Sequence, residues 1–331
     1  MTLPLEPALK IGVSTMLRRT EPASGPWMPT PDELVEVVEQ VDRLGFDSFW
    51  CGDHIAFAIP ILDPITQIAQ AALISRRLTF GTAVFLLPLR HPTPVAKQIA
   101  TLDHLTGGRF IFGVGIGGEF PKEYAGCGVP INERGPRLGE AIEVIRKLWT
   151  GETVSYHGRF YQFADVTMTP APRQPGGPPI WCGGRSEPAL RRAARLADGW
   201  FSYAVTPEMF AKGLGTIEAA AAAADRKLDR FGTAHLMFTR VSDSYERALE
   251  EAAQSLSVRY AMNMRPATQR YGAIGTPAQV AEKIREFYAA GVRHLSLDLV
   301  GPYDRRGEQF ERFAAEVRPL IKDLLTCTTR T

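Results

Sequence analysis

Residues 78–120 read LTFGTAVFLLPLRHPTPVAKQIATLDHLTGGRFIFGVGIGGEF. The first part, residues 78–85, is an apolar run of strand length. Residues 93–105 follow with apolar positions at helical spacing, and Pro92 stands just ahead of them. Residues 109–116 form a second apolar run. Strand, helix and strand in this order make the unit of a parallel sheet with right-handed crossovers.

The same alternation extends in both directions. Upstream, residues 9–14 and 46–51 read as strands. The helix between them, residues 31–44, has Thr30 as its N-cap and Gly45 as its stop. A further helix is expected around residues 63–76. Downstream, helices are expected at 133–149, near 188–196, and at 207–228, 245–260, 277–290 and 310–325. Strands are expected at 180–182, 199–203, 234–241 and 292–300. Residues 153–168 break the pattern, with alternating and aromatic residues around His157 and Gly158, and read as a hairpin. Eight strand runs predict a closed (β/α)8 TIM barrel, one domain over residues 1–331, with the hairpin as an insertion between strands four and five. An open, doubly wound sheet is the alternative.

Composition narrows the function. Hydrophobic residues make up 45% and charged residues 22% of the 331 positions, the net charge is +2, and both signs are mixed along the chain. Neither nucleic acid nor a membrane surface is expected as a partner. The chain has no apolar run long enough for a spanning helix and no secretory pattern in its first residues, so a cytoplasmic location is expected. Its four cysteines form no CxxC pair and no zinc spacing. Cys51 and Cys182 sit in strand-like runs and read as buried thiols. No HExxH, GxSxG or Walker-type GxxxxGK[ST] pattern occurs.

In a barrel the chemistry lies where strands end. Gly52, Asp53 and His54 follow strand two. An imidazole beside a carboxylate suits proton transfer, although His54 could equally satisfy a backbone carbonyl. Gly81, Thr82, Ala83 and Val84 belong to strand three, where Gly81 suggests a close backbone approach. Arg90 could meet an anion, and His91 reads as part of a turn. Gly113, Gly115 and Gly118 fit GxGxxG, but they stand in a fourth unit and residues 119–130 read as loop, so a dinucleotide fingerprint is rejected. Bare backbone at Gly115 and Gly117 would instead let a flat ring approach the strand end. Glu119 could orient a bound group or be a solvated loop carboxylate. Gly183, Gly184, Arg185 and Ser186 precede a helix and present amides suited to a phosphate, while Ser186 could also be a simple N-cap.

Taken together, residues 81–120, PIWCGGRSEPALRRAARLADGWF at 179–201, RLGEAIEVIRKLW at 137–149, YHGRFYQF at 156–163 and GTPAQVAEKIREFYAAGVRHLSL at 275–297 resemble the bacterial luciferase-like monooxygenase superfamily over nearly the whole chain. The resemblance implies a TIM barrel, often dimeric, that binds FMN or the deazaflavin F420 and acts on a small-molecule substrate. It implies a ring over the strand ends near Asp53, Thr82, Ala83, Val84, Gly115 and Gly117, with the phosphate near Gly183, Gly184, Arg185 and Ser186. It further implies a non-prolyl cis peptide near Ala83-Val84. The GDHI stretch at 52–55 and GIGGEF at 115–120 look more like the F420 branch, which implies His54 as acid/base and Glu119 as an assisting carboxylate. In the FMN branch a separate reductase supplies reduced flavin, and O2 is the co-substrate. A flavin-type binding protein without catalysis is the alternative from another functional class.

Overall fold

The computed structural model describes residues 3–14, 28–57, 60–118 and 120–326. The strands are β1 Lys10–Ser14, β2 Ser48–Cys51, β3 Thr79–Thr82, β4 Phe85–Leu86, β5 Phe110–Gly115, β6 Thr153–His157, β7 Gln162–Thr167, β8 Ile180–Gly183, β9 Gly199–Tyr203, β10 Gly232–Val241, β11 Ala273–Gly275 and β12 His294–Leu299. Eight of them close a parallel barrel in the order β1, β2, β3, β5, β8, β9, β10, β12. The closure is direct: Gly12 of β1 is in register with Ser48 of β2 on one side and Ser296 of β12 on the other. β4 resumes the line of β3 along β5, and β11 pairs with the far end of β10. β6 and β7 form a separate antiparallel hairpin and fall between the fourth and fifth barrel strands in the chain.

The helices up to β12 are α1 Pro31–Arg43, α2 Pro64–Ile74, α3 Pro92–Leu105, α4 Pro121–Gly126, α5 Arg134–Leu148, α6 Glu187–Leu196, α7 Pro207–Ala223, α8 Tyr245–Tyr260, α9 Arg265–Tyr271 and α10 Pro277–Ala289. Local chemistry sets their starts. Thr30 and Thr276 each cap with their hydroxyl and donate their own amide to the side-chain oxygen of Glu33 or Gln279, so both helix entries are capping boxes. α6 shows how a charged sequence still packs. Ala189, Leu190, Ala193 and Ala194 recur at helical spacing on the buried face, and the arginines take the other positions.

Three local expectations differ from the structure. Residues 119–130, read as loop, contain α4. Residues 263–273, where no element is expected between the helices at 245–260 and 277–290, contain α9. The closing helix starts at Arg306 and is broken: α11 Arg306–Arg312 leads into a π turn, Phe313–Val317, and a tighter turn, Arg318–Ile321. Pro319 has no N–H to donate back along the helix, so the regular bond pattern ends there.

Inside the barrel, Trp50 stacks on Trp181 with ring centroids 5.6 Å apart, and Phe201 and Ala234 complete this cluster. A Cβ on Gly81 would lie 2.2 Å from the Trp50 ring, so the close approach expected at Gly81 is that of an indole. Ser48 Oγ accepts from Trp50 Nε1 and shares a second bond with His294 Nε2, both at 2.7 Å. Cys51 and Cys182 are fully buried, and burial pushes the Cys182 thiol up to about 12. Among the described residues no helix is long and apolar enough to cross a membrane, and no group of three His, Cys, Asp or Glu side chains is placed to hold a metal.

Candidate active site

A cavity of about 260 Å3 opens at the C-terminal ends of the barrel strands. Asp53, His54, Ala83, Val84, Gly115, Gly117, Gly183, Gly184 and Arg185 all line it, so most of the predicted site converges on one place. Thr82 does not. It is fully buried and its hydroxyl donates to the Gly113 carbonyl at 2.6 Å, tying β3 to β5. Ser186 is exposed at the start of α6, outside the cavity wall. Glu119 lies outside the described residues.

Asp53 and His54 are adjacent and do different things. The Asp53 carboxylate is closed off from solvent and receives both terminal nitrogens of Arg90 and the Leu86 amide, the latter at 2.8 Å. Burial pushes its pKa up, while the guanidinium and the amide pull it down. These donors fasten the segment after β3 to the end of β2. Arg90 therefore serves Asp53 rather than a ligand, and it also lies 4.2 Å from the Phe85 ring centre. His91 is the N-cap of α3, as its turn-like context suggests.

His54 faces the cavity and is steered from behind. Its Nδ1 lies 3.0 Å from Glu123 Oε2, and Glu123 Oε1 accepts the amides of Ile55 at 2.7 Å and Ala56 at 3.1 Å. An ionised carboxylate only accepts, so Nδ1 carries the hydrogen and Nε2 is left to take or give a proton. Phe57 stacks on the imidazole at 4.1 Å and Phe120 meets it edge-on at 5.6 Å. Glu123 was missed in the sequence because Pro121, Gly126 and Gly128 suggested a loop. Pro121 at the first helical position was the available signal.

The floor of the cavity is the Ala83-Val84 step, which is a cis peptide where the resemblance implies one. The glycines of β5 are explained by that step. A Cβ on Gly113 would lie 1.9 Å from the Thr82 carbonyl oxygen, and one on Gly115 would lie 2.4 Å from Val84 Cγ2. Their bare backbone first admits the protein's own bulge, and only above it a ligand. At another edge, Gly184 has φ +119° and its carbonyl accepts from Trp200 Nε1 at 2.6 Å. The Ser186 hydroxyl makes no capping bond, Pro188 has no N–H, and the Ala189 and Leu190 amides donate to the Ser186 carbonyl, so the Glu187 amide is the one left at the start of α6. The Gly183-Gly184-Arg185 turn at the start of α6, beside a floor of bare backbone and valine, fits a flat ring with a phosphate tail.

Fold and site together define a parallel barrel with its candidate site at the strand ends, where barrel enzymes hold their chemistry. The chain belongs to the luciferase-like monooxygenase family, whose model matches residues 9–294. It is 42% identical over 149 residues to an uncharacterized Mycobacterium tuberculosis protein, covering 45% of this chain and spanning about half of that relative, 50%. It is 29% identical over 328 residues to an F420-dependent glucose-6-phosphate dehydrogenase of Microbacterium testaceum, covering 88% of this chain and 94% of the relative. Among solved structures, monooxygenase RslO1 from Streptomyces bottropensis superposes with a TM-score of 0.81 at 25% identity, covering 94% of this chain and 99% of that one. The chain's relatives include F420-dependent and flavin-dependent enzymes, dehydrogenases and monooxygenases among them.

Proposed function

We propose that this chain binds F420 at the barrel mouth and moves a hydride to or from a small organic substrate, with His54 handling the accompanying proton. The observation that carries this reading is the alignment with the Microbacterium dehydrogenase over nearly the whole of both chains. When bound, F420 supplies two-electron hydride chemistry, and the protein supplies position and electrostatics. The start of α6, with Gly183, Gly184, Arg185 and Ser186, would hold the phosphate. Val84 and the backbone of Gly115 and Gly117 would support the ring, and Asp53 would hold that floor in place through Leu86 and Arg90.

Glu123 fixes the His54 tautomer, and Phe57 and Phe120 fix the plane of its ring. For a hydroxyl substrate, Nε2 takes the O–H proton as the carbinol carbon gives up its hydride, and returns it in the reverse direction. Glu119 is proposed as an assisting carboxylate on its sequence position alone. A second reading is favoured by the likeness to RslO1, named a monooxygenase: this chain would then oxygenate its substrate, and we propose FMN as the cofactor in that case, reduced by a separate reductase, with O2 as co-substrate. In either reading we place the protein in the cytoplasm as a homodimer. A monomer mass by light scattering at micromolar concentration would remove the dimer.

Titrating the purified protein with both cofactors tests the choice. Submicromolar binding of F420 without binding of FMN is expected, and the reverse result rejects F420 for FMN. With a turned-over substrate, His54→Ala is expected to slow kcat by about 100-fold or more while leaving F420 affinity within a few fold. Unchanged kcat would end the proton-transfer role.

A further inference from the structure

One side of the mouth is not used by the cofactor reading. It is built by Tyr203 at the end of β9, Leu236 on β10, Tyr260 at the end of α8 and Asp298 on β12, and all four line the same cavity as His54. The wall is continuous with the His54 cluster. Tyr260 meets Phe57 edge-on at 6.5 Å, and the two tyrosine hydroxyls are bonded at 3.1 Å. This wall is aromatic, and among the described residues it offers no free cation. Arg259 lies behind it, buried, with both terminal nitrogens on the Asp298 carboxylate. Among the described residues that line the cavity, the Lys or Arg side chain is that of Arg185. It belongs to the α6 end, where its Nη1 donates to the Ala204 carbonyl at 2.6 Å.

Asp298 thus presents a carboxylate held in place by Arg259. A carboxylate has room for about four hydrogen bonds, and Arg259 uses two of its directions. A phosphate or carboxylate group brought to this wall would face a fixed negative charge with no free partner, which burial makes costly. A neutral ring would meet aromatic faces, and a hydroxyl or N–H on it would find an acceptor.

We infer that the Tyr203–Tyr260–Asp298 wall is the substrate subsite and that it selects a neutral, ring-bearing molecule whose hydrogen-bond donor, remote from the reacting carbon, rests on Asp298. This deepens the proposed function and rests on its placing the reaction in this cavity. It separates this chain from the Microbacterium relative, whose name specifies a sugar phosphate.

The test uses the full chain, with and without F420, and three probes followed by isothermal titration and ligand-observed NMR. 4-(1-Hydroxyethyl)phenol is a neutral ring with a remote donor, 1-phenylethanol lacks that donor, and glucose 6-phosphate carries the anion. The phenol is expected to bind at least tenfold more tightly than 1-phenylethanol, and glucose 6-phosphate not to bind. Asp298→Asn would leave Arg259 buried without its anion and could unfold the protein. Asp298→Leu combined with Arg259→Met removes both charges together, and a circular dichroism melt checks its fold. In that double variant the tenfold preference is expected to vanish while F420 affinity holds. Tighter binding of glucose 6-phosphate than of the phenol, no binding of the phenol, or a preference that survives in the double variant would each overturn the assignment. If the phenol preference follows Asp298 but F420 does not bind, the cofactor reading fails and the subsite stands.

Discussion

At the end of β2, neighbouring side chains divide support from chemistry. Asp53 is spent on Arg90 and Leu86, whereas His54 keeps Nε2 for the cavity because Glu123 occupies Nδ1. The two are therefore expected to fail differently. Arg90→Ala strands a buried carboxylate and should lower unfolding free energy by about 3–5 kcal/mol, while the paired change Asp53→Leu with Arg90→Met should cost less. Urea unfolding of the three proteins measures this, and equal losses would show that the ion pair is not what holds the segment. His54 was legible in the sequence because a strand end in a barrel has a fixed meaning. Glu123 was not, because its link to His54 spans 69 positions and joins a six-residue helix that no periodicity announces. Asp298 also sits near a strand end, but it stands alone there, without a neighbouring motif to draw attention to it.

The barrel strands and most of the helices follow from the change of hydrophobic period along the chain, since each element must bury one face. Their edges follow from caps such as Thr30 and Thr276. What period cannot show is how two elements touch. The glycines of β5 looked like a seat for a ring, but the structure gives Gly113 and Gly115 to the Thr82 carbonyl and to Val84. This coupling can be measured. Gly115→Ala is expected to destabilise the fold by about 1–3 kcal/mol through overpacking on Val84, and adding Val84→Ala should restore part of that loss. A double-mutant cycle in urea reads the interaction. Simple additivity would mean that the two residues do not press on each other.

Acid tolerance belongs to the whole molecule, because two histidines lie in its interior on different layers. His235 bonds Ser202 and stacks on Phe287 of α10 at 4.3 Å, and His294 bonds Ser48 inside the barrel. Burial lowers their pKa values from 6.5 to about 3 and about 4. Below pH 6.5 the unfolded chain therefore binds protons that the folded one refuses. Their contribution is complete above that pH and is lost as pH falls toward the folded values, by about 1.4 kcal/mol per unit for each histidine. Urea unfolding at pH 7, 6 and 5 should show this decline, and a flat profile over that range would contradict two neutral interior imidazoles.

The stacked indoles of Trp50 and Trp181 have a use that concerns light rather than packing. Ala83 and Val84, which form the cavity floor, rest on this pair, and Trp149 and Trp200 are also shielded from solvent. A coloured ring seated on that floor would lie within energy-transfer range of the pair, so cofactor uptake should dim the protein's own ultraviolet emission. Phenylalanine at position 50 or 181 should shrink the drop. The barrel thus carries its own gauge of occupancy, readable before any substrate is known.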